Sequence, residues 1–144
     1  MRTTRQLMIL LALAAAGCSG RGLVFTETVE GTLTLDGAPV PDALVQFVPD
    51  LPDGTTAPSS GGTTDAKGFF RLTRSDNQKA GALVGRHKVV VFPGRAAADR
   101  DNSAGATPSP VPAVYMNASK TPLTVEVTRD KQTYNVTMSR AGGG

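Results

Sequence analysis

Residues 28–35 read Thr-Val-Glu-Gly-Thr-Leu-Thr-Leu and run directly into the dipeptide Asp36-Gly37. In this stretch Val29, Leu33 and Leu35 share one parity while polar residues take the other, which is the pattern of a β-strand with one buried face. Asp-Gly is one of the strongest signals for a tight hairpin turn. We therefore expect the folded part of the chain to open with a strand that enters a hairpin.

The same alternation returns along the chain, between segments rich in turn-forming residues. The sequence holds 16 glycines and 10 prolines in 144 residues, and no long helical pattern interrupts the alternation. We predict an all-β fold, a single antiparallel β-sandwich of about seven strands. After the first strand, the predicted strands lie at 43–48, 69–73, 86–92, 123–127 and 134–138, with a short one near 114–116.

The connections between these strands have their own signatures. Residues 64–68 are typical of a tight turn whose last residue, a glycine, takes a positive φ. Residues 129–131 predict a turn that joins the last two strands, and 78–84 is the only place where a turn of helix is expected. Two segments predict long loops, 49–62, which is rich in Pro, Gly, Ser, Thr and Asp, and 93–113, which is rich in Pro, Gly, Ala and Asp. Long loops in compact domains are usually functional or disordered.

The strands carry short motifs in a characteristic order. These are Gly31-Thr-Leu-Thr-Leu-Asp-Gly37, Ala43-Leu-Val-Gln-Phe-Val-Pro49, Thr64-Asp-Ala-Lys-Gly68-Phe-Phe-Arg-Leu72, Gly85-Arg-His-Lys-Val-Val-Val91, and Val111-Pro-Ala-Val-Tyr115 followed by Thr121-Pro-Leu-Thr-Val-Glu-Val127. Over residues 29–138 the chain resembles the carboxypeptidase-regulatory-like, or transthyretin-like (prealbumin-like), domains. The resemblance implies an exported, non-catalytic sandwich that serves as an accessory or adhesive module. Transthyretin-like hydrolases use more than one histidine, and this chain has one.

The N-terminus has the composition of an export signal. Arg2 and Arg5 precede an unbroken apolar run at 7–16, which Gly17 and Cys18 follow. A positive start, an apolar stretch of about 7–15 residues and small residues at a cleavage point make a signal peptide. The run is too short to span a bilayer, because a membrane helix needs about 20 apolar residues.

Cys18 is the only cysteine and stands where cleavage should occur. Ala16, Gly17 and Cys18 resemble the lipobox of bacterial lipoproteins, although Ala15 stands where that family usually has leucine. The resemblance implies that Cys18 becomes the first residue and carries a diacylglycerol on sulfur and an acyl chain, such as palmitate, on its amine. We expect no other cofactor. The alternative is plain secretion with an incidental cysteine.

The predicted organisation follows from these signals. We expect a cleaved signal peptide at 1–17, a lipid anchor and tether at 18–26, a sandwich domain at 27–140 and a flexible tail at 141–144.

Removal of the two signal arginines reduces 15 Lys+Arg to 13, against 12 Asp+Glu. A nearly neutral chain without a basic cluster lacks the electrostatic footprint of a nucleic-acid binder. With its cysteine lipidated, the chain has no disulfide and depends on an apolar core.

Few residues offer chemistry. His87 is the only histidine, which excludes a His-cluster metal site, and its parity places it inward, at the edge of the core. Tyr115 is a candidate for sugar stacking, or else an anchor that holds its loop on the sandwich. The remaining weak candidates are four loop aspartates, which either bind Ca²⁺ or shape turns, namely Asp50, Asp53, Asp99 and Asp101.

These observations predict a membrane-anchored lipoprotein of the cell envelope whose sandwich has a structural or protein-interaction role and no catalytic activity. Its expected partners are the membrane, through the lipid, and an envelope protein. Ser19 stands where an aspartate in some bacteria retains lipoproteins at the inner membrane, so we expect the outer membrane, facing the periplasm. The alternative is a glycan- or Ca²⁺-binding module that uses loops 49–62 and 93–113.

Overall fold

The computed structural model describes residues 22–52, 55–94 and 111–141. Within these residues the chain is almost entirely β-structure, as the alternation predicts, and the single helix is one short 3-10 turn, η1. The elements are β1 Glu30–Leu35, β2 Ala38–Pro39, β3 Ala43–Pro49, β4 Ser60–Thr63, β5 Phe69–Arg71, β6 Thr73–Arg74, β7 Gly85–Pro93, η1 Ala113–Met116, β8 Thr124–Val127 and β9 Val136–Met138.

The strands form two sheets. In the first sheet β1 pairs antiparallel with β2 and β5, and parallel with β9. The second sheet has the order β6-β4-β3-β7-β8, and all its pairs are antiparallel. The all-β prediction is therefore confirmed, while the β1–β9 pair departs from a purely antiparallel arrangement. The strands outnumber the predicted seven because several are only two or three residues long.

One apolar core lies between residues of both sheets. Phe47 of β3 meets Phe70 of β5 edge-on, with ring centroids 6.2 Å apart, and Tyr134 at 6.3 Å. All three rings are buried. The buried residues alternate along β1 and β3 as the sequence predicts, so that on β3 Val45 points inward while Leu44 is 40% exposed. On β7 the alternation is broken, because Val90 is buried between Val89 and Val91.

Two predicted turns are confirmed in detail. Asp36 and Gly37 have φ values of 50° and 84°, the left-handed pair that a tight hairpin requires, and they join β1 to β2. Gly68 has a φ of 75°. One carboxylate oxygen of Asp65 accepts the N–H groups of Lys67 and Phe69 at 2.8 and 2.9 Å, which closes the second turn.

Three expectations about secondary structure are wrong. Residues 113–116 form η1 rather than a strand, and 78–84 form single β-bridges at Ala80 and Leu83 rather than a turn of helix. The end of the predicted loop 49–62 belongs to β4, Ser60–Thr63, which is held by backbone pairing to β3 and β6. The pattern missed this strand because its sequence Ser-Gly-Gly-Thr has no apolar alternation.

The last two strands also do not pair with each other. β8 joins β7 in one sheet and β9 joins β1 in the other, so the turn around 129–131 carries the chain from sheet to sheet. The Tyr134 hydroxyl holds this connection by accepting the Thr128 N–H at 3.0 Å and donating to the Lys131 carbonyl at 2.9 Å. Alternation shows which residues are buried, but it does not specify the partner strand.

The aromatic contact across the core yields a stability prediction. Phe47→Ala removes the ring that meets both Phe70 and Tyr134, and we expect it to lower the free energy of unfolding by about 3–5 kcal/mol. Leu44→Ala, a change on the same strand facing the other way, should cost under about 1 kcal/mol. Urea denaturation of both variants measures the difference, and equal losses would contradict this account of the core.

Candidate functional site

The segment that precedes β1 is attached to the domain. The Val24 carbonyl accepts the Val84 N–H at 2.7 Å, and the Thr26 N–H donates to the Ala82 carbonyl at 2.8 Å. The Thr26 hydroxyl adds contacts of 3.2 Å to both the carbonyl and the N–H of Ala82. The domain therefore takes in residues 24–26, which the sequence assigns to the tether.

Side chains fix this attachment further. The guanidinium of Arg74 lies 3.6 Å above the centroid of the Phe25 ring and forms an ion pair with Asp76 at 2.6 Å. Gly81 has a φ of 104°, and a Cβ there would overlap the backbone of Thr26, so only glycine lets the two segments approach. The point at which the chain enters the domain is thus fixed by packing. Cys18 itself lies outside the described residues.

His87 is buried, as its parity predicts, with 1% of its surface exposed. Its ring lies 5.9 Å from that of Phe47, and its Nδ1 is 2.9 Å from the Gly85 carbonyl oxygen. Since a carbonyl only accepts, Nδ1 carries the proton in the neutral ring. Burial lowers the pKa of His87 below its ordinary value of 6.5, although the Gly85 hydrogen bond and the charge of Glu126 act in the opposite direction.

Of the four loop aspartates, the structure describes Asp50. Asp50 is exposed, and its N–H donates to the Arg86 carbonyl at 2.9 Å. Asp53, Asp99 and Asp101 lie outside the described residues. Across residues 22–52, 55–94 and 111–141, no three His, Cys, Asp or Glu side chains are grouped so that they could hold a metal ion.

Tyr115 is placed differently from what sugar stacking requires. Its ring is 1% exposed, so neither face is open to a ligand. Its hydroxyl donates to the Ser139 carbonyl and accepts the Ser139 N–H, both at 3.0 Å. The side chain therefore fastens η1 to the end of β9, which is the anchoring geometry that the sequence left as the other interpretation.

A cleft lies on the outer face of the second sheet. Two adjoining hollows of about 460 and 200 Å³ share Gln46, Ser59 and Ser75 as lining residues. The Gln46 side-chain amide donates to the Ser59 hydroxyl at 3.0 Å. The larger hollow is also lined by Pro49, Leu51, Thr55 and Thr56, and the smaller one by Gly61 and Arg74. We call the two hollows together the outer cleft.

The sequence indicates the loop beside this cleft but not its lining. Its length and composition mark loop 49–62 as a candidate binding segment, and part of this loop forms one wall of the cleft. Gln46, by contrast, is an ordinary outward residue between buried Val45 and Phe47. The alternation predicts that the Gln46 side chain points outward. No local pattern predicts that residues 55–59 lie beside it and form a wall of the cleft.

The described residues contain no helix that is both long enough and apolar enough to cross a membrane. Comparison with known proteins gives no match to the chain among protein-family models, curated proteins or solved structures.

The environment of His87 predicts a pH dependence of stability. Because burial lowers the pKa of His87 in the folded state below 6.5, the unfolded chain binds the proton more readily. The free energy of unfolding should be constant just above pH 6.5 and fall as the pH decreases below it. His87→Phe keeps a ring against Phe47 and should remove this part of the decrease, as measured by urea denaturation between pH 7.5 and 5. An identical slope in the variant would contradict the assignment.

Proposed function

We propose that this chain is a lipoprotein of the cell envelope, anchored through a diacylglycerol and an N-acyl chain on Cys18. Its domain is a transthyretin-like β-sandwich without catalytic activity, which acts as a structural or protein-interaction module. Ser19, in the position where an aspartate can retain lipoproteins at the inner membrane, favours the outer membrane facing the periplasm. A signal peptide at 1–17 directs the export.

The observation that carries this proposal is the packing of residues 24–26 on the domain. The fixed segment begins at Val24, six residues after the cysteine, so a lipid on Cys18 leaves a tether of five residues. A long unattached leader would separate anchor and fold, whereas this spacing holds the domain directly at the membrane surface. Two or more acyl chains give stable anchoring where one gives only marginal binding.

The anchor is tested by mass spectrometry and fractionation of the mature protein with Cys18→Ala as the variant. We expect the wild-type mass to include the lipid and the protein to sediment with membranes, while the variant moves to the soluble fraction. Residue 18 precedes the packed segment, so the thermal unfolding of the domain should be unchanged. An unmodified thiol, or unchanged membrane partitioning of Cys18→Ala, would refute the proposal.

The outer cleft favours a second candidate function, the binding of a neutral glycan by the sandwich. Its lining offers the amide of Gln46 and the hydroxyls of Ser59, Thr55 and Thr56 beside the apolar ring of Pro49. Amide and hydroxyl groups over an apolar surface suit a ligand that is rich in hydroxyls and carries no charge. This candidate is compatible with the lipid anchor, since the cleft lies on the folded domain.

A glycan array followed by calorimetry with a bound sugar tests this second candidate. A Cβ at Gly61 meets its nearest atoms at 3.5 and 3.7 Å, so Gly61→Val can fold and should fill part of the cleft. We expect Gln46→Ala to weaken sugar binding about tenfold, because one or two hydrogen bonds are lost. Gly61→Val should weaken binding at least as much, because the valine side chain occupies part of the cleft.

Thr63→Val is the matched control for the glycan experiment. It introduces the same side chain on the same strand, at an exposed position outside the cleft lining. This candidate function would be contradicted if Gly61→Val and Thr63→Val weakened sugar binding equally, or if no sugar on the array bound the protein.

A further inference from the structure

The residues at the root of the tether form an exposed apolar pair. Leu23 is 46% exposed and Val24 is 39% exposed, and the remaining large hydrophobic side chain exposed to a similar degree in the described residues is Leu44. Two of three such side chains therefore lie at the point where the chain enters the domain. Single exposed hydrophobic residues are common, but their placement together at this point calls for a partner.

The backbone fixes where this pair is presented. The Val24 carbonyl is held by the Val84 N–H, and the next residue, Gly85, pairs with Val127 of β8. Arg74 stacked on Phe25 holds the same segment from the other side. The backbone at Val24 and the ring of Phe25 are therefore held in place, and Leu23 and Val24 are exposed beside them.

The length of the tether limits how far this pair can be from a lipidated cysteine. Leu23 is five residues from Cys18, a span of about 17 Å when fully extended. The polar layer of a bilayer is about 5–7 Å deep on each side. A lipid on Cys18 would therefore keep the apolar pair within about 17 Å of that interface.

We infer that Leu23 and Val24 insert into the interface of the bilayer that holds the Cys18 lipid, so that this end of the domain rests on the membrane. The inference rests on the proposed lipid anchor and adds an orientation to it. The tether supplies a high local concentration of bilayer surface, so two small apolar side chains suffice where they would not bind on their own.

The charges around the pair indicate which lipid this contact needs. Exposed residues of both signs flank the attachment point, with Arg86 opposite Glu126 on paired strands and Arg129 beside Asp130 in the following turn. These four charges cancel, so the contact proposed here depends on the apolar side chains and not on an anionic lipid. The insertion should therefore occur on zwitterionic phosphatidylcholine, which makes that lipid the appropriate probe.

The test uses the mature lipidated protein in phosphatidylcholine vesicles. Because Cys18 is the only cysteine and carries the lipid, a cysteine introduced elsewhere is a unique labelling site. Leu23→Cys receives an environment-sensitive fluorophore, and brominated phosphatidylcholine serves as the quencher. Leu44→Cys is the matched control, since it is a leucine of similar exposure that pairs with Phe92, about 23 Å along β7 from Gly85.

We expect a blue-shifted emission and at least twofold quenching at position 23, and neither at position 44. Equal quenching at both positions, or none at position 23, overturns the orientation. Mass spectrometry of the same sample separates this outcome from failure of the anchor. A protein without lipid on Cys18 overturns both proposals, whereas a lipidated protein without quenching at position 23 overturns only this one.

Discussion

The contact of Phe47 with Phe70 and Tyr134 is the interaction on which the rest of the fold depends. It joins residues of the two sheets, with ring centroids 6.2 and 6.3 Å apart, in a chain whose single cysteine cannot form an internal disulfide. Tyr134 then holds the turn between β8 and β9 through its hydroxyl. Because His87 packs against the same Phe47 ring, this cluster also sets the environment in which the histidine titrates.

Much of the burial pattern was predictable from the sequence because a strand with one buried face places alternate residues in the core. Val45, Phe47 and His87 face inward as their parity requires. The turn at Asp36-Gly37 was equally predictable, since few residue pairs accept two consecutive positive φ values. These features depend on local chemistry, which is why a single sequence reveals them.

The features that sequence reasoning missed depend on contacts between distant segments. β4 contains Gly61 and Gly62 and is recognised only through its partners, and a Cβ at Gly62 would overlap the backbone of Arg71. Thr26 bonds to Ala82 across 56 residues, a contact that no local pattern encodes. The outer cleft also depends on distant segments, because β3, the loop that follows it and Ser75 each contribute to its walls. The alternation pattern does not show that these segments lie together.

Arg74 connects the two parts of the surface to which we assign function. Its guanidinium covers Phe25, next to the apolar pair, and the same side chain lines the smaller hollow of the outer cleft. At the other end of the cleft, Asp50 bonds to Arg86 beside the start of β7. A lipid on Cys18 would place the Phe25 end of the outer cleft nearest the membrane, because the tether spans at most about 17 Å. The proposed anchor would then favour cleft partners within reach of that surface, so that anchoring and binding would be parts of one arrangement.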